Sequence, residues 1–395
     1  MKDLRAFQME KFKKNLEYVM KNSSFYSEKL KDIKSQDISR YSDLEKLPFT
    51  TADHIKKENM GFLCVSQNSI ERIITLPSSG TSGPVKRMWF TAGDQNRTID
   101  FFSEGMSRIV KPGWKVIIFM PWKTPGSVGD LLSKGIKNIG CIPVKYGAIE
   151  DYEHAGTLAA QQNLSCYVGL PSQMYQLCVS NGSLNPDVVL LSGDYVPVST
   201  INILKQKWKC QVYNHYGMTE MGFGGGVECW AHDGYHLRDE DLIFEVVDLK
   251  TGKQALPGQW GEVVFTTLSH CGMPLIRYRT GDISRWLDSP CKCGSQIWRL
   301  DRVRGRISNY FQLEDKTWFS IHNLDEILCN FPCILDYTAK RIGNVLELRL
   351  KVAENTDMDV LAEAVKSSLP KGIHSLILAG NGFITDGRLK RTITM

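Results

Sequence analysis

At 395 residues, with 42% hydrophobic and 23% charged side chains, the chain has the make-up of a soluble globular protein and enough length to bury the cores of two or three domains. Forty-eight Lys and Arg against 43 Asp and Glu leave a formal charge of +5, spread along the sequence, so nucleic acid is not an expected partner. No apolar run approaches the ~20 residues of a membrane span, and the charged start Met1-Lys2-Asp3-Leu4-Arg5 lacks a secretory core. The expected location is therefore the cytoplasm, with no membrane partner, and the eleven cysteines are expected to be free thiols or metal ligands.

Apolar residues at helical spacing predict a packing helix over 4–21, and Ser42-Asp43 is placed to cap a short one. From Ile73 to Val264, strand-like runs such as Val116-Ile117-Ile118-Phe119-Met120 and Asp187-Val188-Val189-Leu190-Leu191 alternate with helical stretches. Such alternation predicts a largely parallel α/β core with ligands at the strand ends. Residues 262–267 and 275–278 read as paired strands. After Arg302-Val303-Arg304-Gly305-Arg306 the pattern resets: a helix over 322–328, a strand over 344–352, a helix over 358–369 and a strand over 373–378. The expected organisation is a large domain over 1–306 and a small α+β domain over 307–395.

Three segments carry chemistry. Ser78-Ser79-Gly80-Thr81-Ser82-Gly83-Pro84-Val85-Lys86 combines hydroxyls, glycines and a cation, the make-up of a loop that turns N–H groups toward phosphate, although it departs from the Walker pattern. Tyr213-Asn214-His215-Tyr216-Gly217-Met218-Thr219-Glu220 offers an aromatic face, a hydroxyl and a carboxylate. Arg277-Tyr278-Arg279-Thr280-Gly281-Asp282 ends in a carboxylate after a glycine turn. Read singly, the first is also a flexible loop, Tyr216 a core aromatic and Glu220 a solvated turn residue.

In this order the three resemble the core motifs of the adenylate-forming superfamily of acyl-CoA ligases. The opening Asn22-Ser23-Ser24-Phe25-Tyr26, the Leu47-Pro48-Phe49-Thr50-Thr51 segment and Cys291-Lys292-Cys293-Gly294 resemble its phenylacetate–CoA ligase branch. The likeness is strongest over 76–306. It implies a large multi-sheet α/β adenylation domain followed by a small mobile α+β domain, acting on ATP, Mg²⁺, coenzyme A and a small carboxylic acid. Ser78, Ser79, Gly80, Thr81, Ser82 and Gly83 would then hold phosphate, with Lys86 drawing on the departing pyrophosphate. Thr219 would donate to the α-phosphate and Glu220 would hold Mg²⁺. Tyr216 and Gly217 would meet adenine, with Gly193 and Asp194 of Ser192-Gly193-Asp194 at its edge. Asp282 would take the ribose hydroxyls, and Arg306 would join near the hinge.

Trp122, His215, Met221 and Phe223 lie in segments that border the acid in this family; the same side chains also read as core packing. A wall of this kind would favour an aryl or arylacetic acid. Cys229, Cys291 and Cys293 with His232 or His236 make a Cys₃His set for structural Zn²⁺, and the resemblance favours His236. One departure stands out: Gly387-Arg388-Leu389-Lys390-Arg391 has arginine where the family carries its adenylation lysine, leaving Arg388 and Lys390 as rival cations. Delivery to a carrier protein and a non-catalytic nucleotide-binding role are the competing readings. A homodimer is allowed by the sequence without being derived from it.

Overall fold

The computed structural model describes residues 2–76, 85–313, 316–343, 345–379 and 393–394. The chain divides into two compact units, the first of Met1–Ile109, Trp122–Ile139 and His215–Val303, the second of Val110–Pro121, Gly140–Asn214 and Arg304–Met395.

In the first unit, the helix Lys2–Asn22 buries Met9, Phe12, Leu16 and Val19, spaced three and four apart along one face. Its buried polar groups serve neighbouring backbone: Gln8 donates to the carbonyls of Asp239 and Leu242 at 2.8 and 3.1 Å, and Asn15 to that of Thr267 at 2.6 Å. Those carbonyls belong to or flank an antiparallel sheet of Leu242–Val247, Gly261–Thr267 and Tyr278–Ser284. A second antiparallel pair, Ile70–Leu76 with Lys86–Thr91, leads into the helix Ala92–Ser107. Thr91 and Asp94 form a capping box there. Asp94 is buried and also accepts the Cys271 and Gly272 N–H groups at 2.8 and 3.0 Å, so one carboxylate joins the helix start to a loop 177 residues on.

In the second unit, the parallel strands Ile142–Lys145, Lys115–Ile118, Cys166–Gly169 and Val188–Ser192 lie side by side in that order. The helices Tyr152–Gln162, Pro171–Ser180 and Val198–Trp208 connect and follow them, as the alternation of the sequence predicts. The C-terminal part of this unit has a sheet ordered His374–Ala379, Val345–Val352, Ile334–Ile342 and Ile393–Thr394, with the helices Ile321–Leu328 and Met358–Ser368. Phe319, Leu324, Leu348, Leu350, Leu361 and Val365 form its separate core. Tyr175 donates to the carbonyls of Phe331 and Ile334, which ties this part to the helix Pro171–Ser180. No helix among the described residues is long and apolar enough to cross a membrane.

Two sequence expectations change locally. Within the expected Ser42-Asp43 cap it is Asp43 that acts: it lies inside the 3₁₀ helix Tyr41–Lys46 and its carboxylate accepts the Ser39 and Arg40 N–H groups. Residues 275–277 are not a regular strand. Arg277 has φ +46° and is 1% exposed, its guanidinium donating to both Glu245 oxygens at 2.9 and 3.0 Å and to the Leu47 carbonyl at 2.7 Å. Satisfying that buried charge bends the backbone, and the strand starts one residue later, at Tyr278. Burial raises the Glu245 pKa, against the pull of Arg277.

Replacing Arg277 with Met strands a buried carboxylate and is expected to lower the unfolding free energy by about 3–5 kcal/mol. Adding Glu245→Leu should recover most of that loss. Urea denaturation of the parent, single and double variants measures both effects.

Candidate active site

The ladder of the first antiparallel pair runs to Leu76 opposite Lys86, which puts the lysine at the mouth of the glycine- and serine-rich segment. Lys86 Nζ forms an ion pair with Glu220 Oε1, and Tyr278 OH donates to the same oxygen at 3.0 Å while lying 3.4 Å from Nζ. Glu220 is 3% exposed and sits in the one-turn 3₁₀ helix Thr219–Met221 that follows the strand Gln211–Tyr216. A carboxylate at that depth keeps its charge only beside a cation, so the geometry holds an anion–cation pair at the end of a strand. One step away, Tyr216 OH donates to Asp282 Oδ2 at 2.9 Å, both side chains being buried. Glu220 and Tyr216 are four residues apart on one segment, as are Tyr278 and Asp282 on the other, so the two contacts repeat along the same pair of segments.

The backbone after Tyr216 is folded tightly. A Cβ on Gly217 would stand 2.2 Å from the Phe223 carbonyl oxygen, and one on Gly224 would stand 2.2 Å from the Phe101 ring. At Gly217 the obstacle is main chain, so only glycine fits; at Gly224 it is the half-buried Phe101 ring, which would have to move. Phe223 takes φ +68° and its ring lies 6.3 Å from that of Phe90. His215 packs against the rings of Phe101 and Phe102, with centroids 5.9 and 6.2 Å away, and burial pushes its pKa down to about 4. Met221 is wholly enclosed in the core that holds Tyr216 and Phe244, Trp122 is half-buried, and Thr219 is half-buried at the start of its turn.

In the second unit, Ser192 ends a parallel strand and Gly193 follows with φ +89°, its α-carbon pressed toward Leu170. Asp194 Oδ1 accepts the Tyr195 N–H at 2.9 Å. Arg306 is exposed and precedes the 3₁₀ turn Ile307–Asn309.

Cys229, His236, Cys291 and Cys293 come together although 62 residues separate the first and third. Their ligand atoms all lie within 4.8 Å of one another, with Cys229 Sγ 3.6 Å from Cys291 Sγ and Cys293 Sγ 3.4 Å from His236 Nε2. Ligands about 2.3 Å from a central ion at tetrahedral angles would be about 3.7 Å apart, so these edges match such a site. Burial and the neighbouring thiols push the Cys229 pKa up to about 12. His232 points elsewhere, with Nδ1 3.4 Å from a Glu228 oxygen.

Of the residues singled out in the sequence, Ser78, Ser79, Gly80, Thr81, Ser82, Gly83, Arg388 and Lys390 lie outside the described residues. Lys86, Glu220, Tyr216 and Asp282 fall into the two contacts above, and Gly193, Asp194 and Arg306 belong to the second unit. The sequence motif alone gives Tyr278 no role. Its signal was the position, four residues before Asp282, that matches Tyr216 before Glu220.

No family model matches the chain. It is 24% identical to a phenylacetate–coenzyme A ligase of Thermus thermophilus, over 94% of this chain and 87% of that protein. To a phenylacetate–coenzyme A ligase of Aromatoleum evansii it is 23% identical, over 91% of this chain and 83% of the relative. A solved 2-hydroxyisobutyryl-CoA ligase in its postadenylation state superposes with a TM-score of 0.85 at 17% identity, covering 98% of this chain and 89% of that one. In sequence, then, the chain is similar to phenylacetate–CoA ligases, and its fold is that of an adenylate-forming CoA ligase.

The depressed pKa of His215 has a measurable consequence. The unfolded chain takes up this proton near pH 6.5, while the folded chain resists until about pH 4. Stability present above pH 6.5 is therefore lost as the pH falls through that window, with a slope approaching about 1.4 kcal/mol per pH unit. In His215→Asn that component should vanish. Denaturation midpoints at half-unit steps from pH 7 to pH 4 check the difference in slope.

Proposed function

We propose that the chain is an ATP-dependent acid:CoA ligase that activates an aryl or arylacetic acid as its acyl-adenylate and passes the acyl group to coenzyme A. The observation that carries this reading is the Lys86–Glu220–Tyr278 cluster beside the Tyr216–Asp282 contact, built from segments 134 residues apart in the case of Lys86 and Glu220. In the first step a carboxylate oxygen bonds to the α-phosphorus of ATP and the bond to pyrophosphate breaks; in the second the CoA sulfur bonds to the acyl carbon and AMP leaves. Both partners of the first step are anions, so the work of the protein is to position them and offset charge.

Glu220 suits Mg²⁺: it is a hard oxygen donor, buried, and already balanced by a cation. When bound, Mg²⁺ supplies charge neutralisation on the phosphates. Lys86, released from Glu220, would then turn its ammonium toward the pyrophosphate, and Tyr278 would keep the Glu220 carboxylate oriented. Asp282, fixed by Tyr216, would accept from the ribose hydroxyls, and Thr219 would donate to the α-phosphate. Trp122, His215 and Phe223 are proposed to border the acid; Met221, wholly enclosed in the core, is proposed to support the turn instead. A neutral His215 packed against two phenyl rings supports an apolar or aromatic acid over a charged one. Residues 307–395 are proposed to act as the small domain, with Arg388 or Lys390 as its cation. The eleven free cysteines support a reducing, cytoplasmic setting.

Lys86→Ala and Glu220→Ala are each expected to slow acid-dependent ATP–pyrophosphate exchange by about 10²–10³-fold with the fold retained. Near-parental exchange in both variants would sink the adenylation reading. Running the acid panel with and without CoA separates the acceptors: AMP and thioester that form only with CoA identify the ligase, whereas exchange without any CoA product points to a carrier protein.

The four-residue Cys₃His cluster is proposed to hold one structural Zn²⁺, since four protein ligands leave no open position. Protein purified without added zinc should contain about one equivalent, and chelation should lower the melting temperature. Elemental analysis showing only traces would reject the site.

A further inference from the structure

The helix Val198–Trp208 begins without a cap of its own: Pro197 occupies the N-cap position and offers no side-chain acceptor. Its cap comes from 128 residues downstream. Glu326, on the helix Ile321–Leu328 of the C-terminal part, accepts the Val198 N–H at 2.8 Å through one oxygen and the Ser199 N–H and hydroxyl at 3.1 and 3.3 Å through the other. The first oxygen also accepts from Tyr195 OH at 2.7 Å. One turn earlier on the same helix, His322 lays its ring 4.4 Å from that of Tyr195. The chain at Gly305 crosses that imidazole so closely that a Cβ there would stand 2.0 Å from it.

Tyr195 is thus held at both its ring and its hydroxyl. Its own N–H binds Asp194, and Gly193 and Ser192 precede it, so fixing Tyr195 restricts the whole Ser192–Tyr195 turn. A structural cap alone requires only the two helix N–H groups; the bond to Tyr195 extends the same carboxylate to a second segment. Four donors on one ionised group make it a strong join, because hydrogen bonds to a charge are about twice as strong as neutral ones.

We infer that Glu326 is a positioning residue for the nucleotide: with His322, it clamps Tyr195 and so sets the Ser192–Asp194 segment that takes the edge of adenine. The C-terminal part thereby contributes to ATP binding through the helix Ile321–Leu328, independently of any cation near its end. The inference rests on the adenylation reading, which assigns that segment to adenine.

Calorimetric titration with Mg²⁺–ATP tests it without an acid, on the full chain and on Glu326→Ala, Tyr195→Phe and the double variant. Glu326→Ala should weaken ATP by about five- to tenfold, and Tyr195→Phe by less. The double variant should be no worse than Glu326→Ala, since both remove one clamp. In pyrophosphate exchange the KM for ATP should rise while kcat at saturating ATP and the KM for the acid stay within about twofold. Unchanged ATP affinity in Glu326→Ala overturns the clamp. A loss of kcat together with a lower melting temperature, without a selective rise in the KM for ATP, overturns it as well and leaves a structural cap. Should Glu326→Ala fail to fold, Tyr195→Phe decides on its own: parental ATP affinity there rejects the inference. A parent chain that does not bind Mg²⁺–ATP defeats the adenylation reading and the clamp with it.

Discussion

A buried carboxylate and guanidinium, Glu245 and Arg277, set the frame on which the first unit's chemistry hangs. Neither charge tolerates loss of its partner in that interior, so the pair locks the backbone into the left-handed turn that precedes Tyr278. The turn decides which side chains of the next strand face the segment ending at Glu220. Tyr278 and Asp282 do, at a spacing of four residues, and each meets a partner four residues apart on the facing segment. The alignment of two hydrogen bonds is therefore downstream of one ion pair that touches neither of them.

The same economy of charge runs through the site. Glu220 is 3% exposed, and Lys86 lies against its carboxylate as the balancing cation. Under the proposed adenylation, a nucleotide polyanion with its metal would offer both side chains new partners at once, so the exchange would cost little net desolvation. Asp94 does comparable work without reactivity, gathering its own helix start and the N–H groups of Cys271 and Gly272 on one buried carboxylate. Three acidic residues thus act as organising points, and only Glu220 and its partners lie where phosphate is expected.

Much of this was legible before the structure because it is written in local pattern. Apolar runs separated by helical stretches become the parallel strands of the second unit, and the four C-terminal elements appear within a few residues of their expected positions. The three thiols with one of two imidazoles were legible from residue type, and His236 was preferred to His232 by the family resemblance alone. What remained hidden is non-local. Nothing near Arg277 announces Glu245, thirty-two residues away, so a strand was expected where the backbone turns. Met221 sits in a motif-bearing turn yet is enclosed by core residues, a distinction that depends on which face of a one-turn helix points inward. Glu326 carries no motif at all; its part follows only from where a distant helix docks.

The packing after Tyr216 also limits how this protein can change. Gly217 and Gly224 are each blocked by atoms 2.2 Å from a would-be Cβ, one of them main-chain oxygen that cannot swing aside. Substitution at Gly217 therefore requires the main chain to move and at Gly224 the Phe101 ring to be displaced, so a library that randomises this stretch will lose many members at these two codons. Diversity at the proposed acid wall enters more readily at half-buried Trp122, whereas Phe223 holds φ +68° and is itself constrained. Evolutionary drift in selectivity faces the same channel, so lineages with different acids should differ at the walls while keeping the glycine turn.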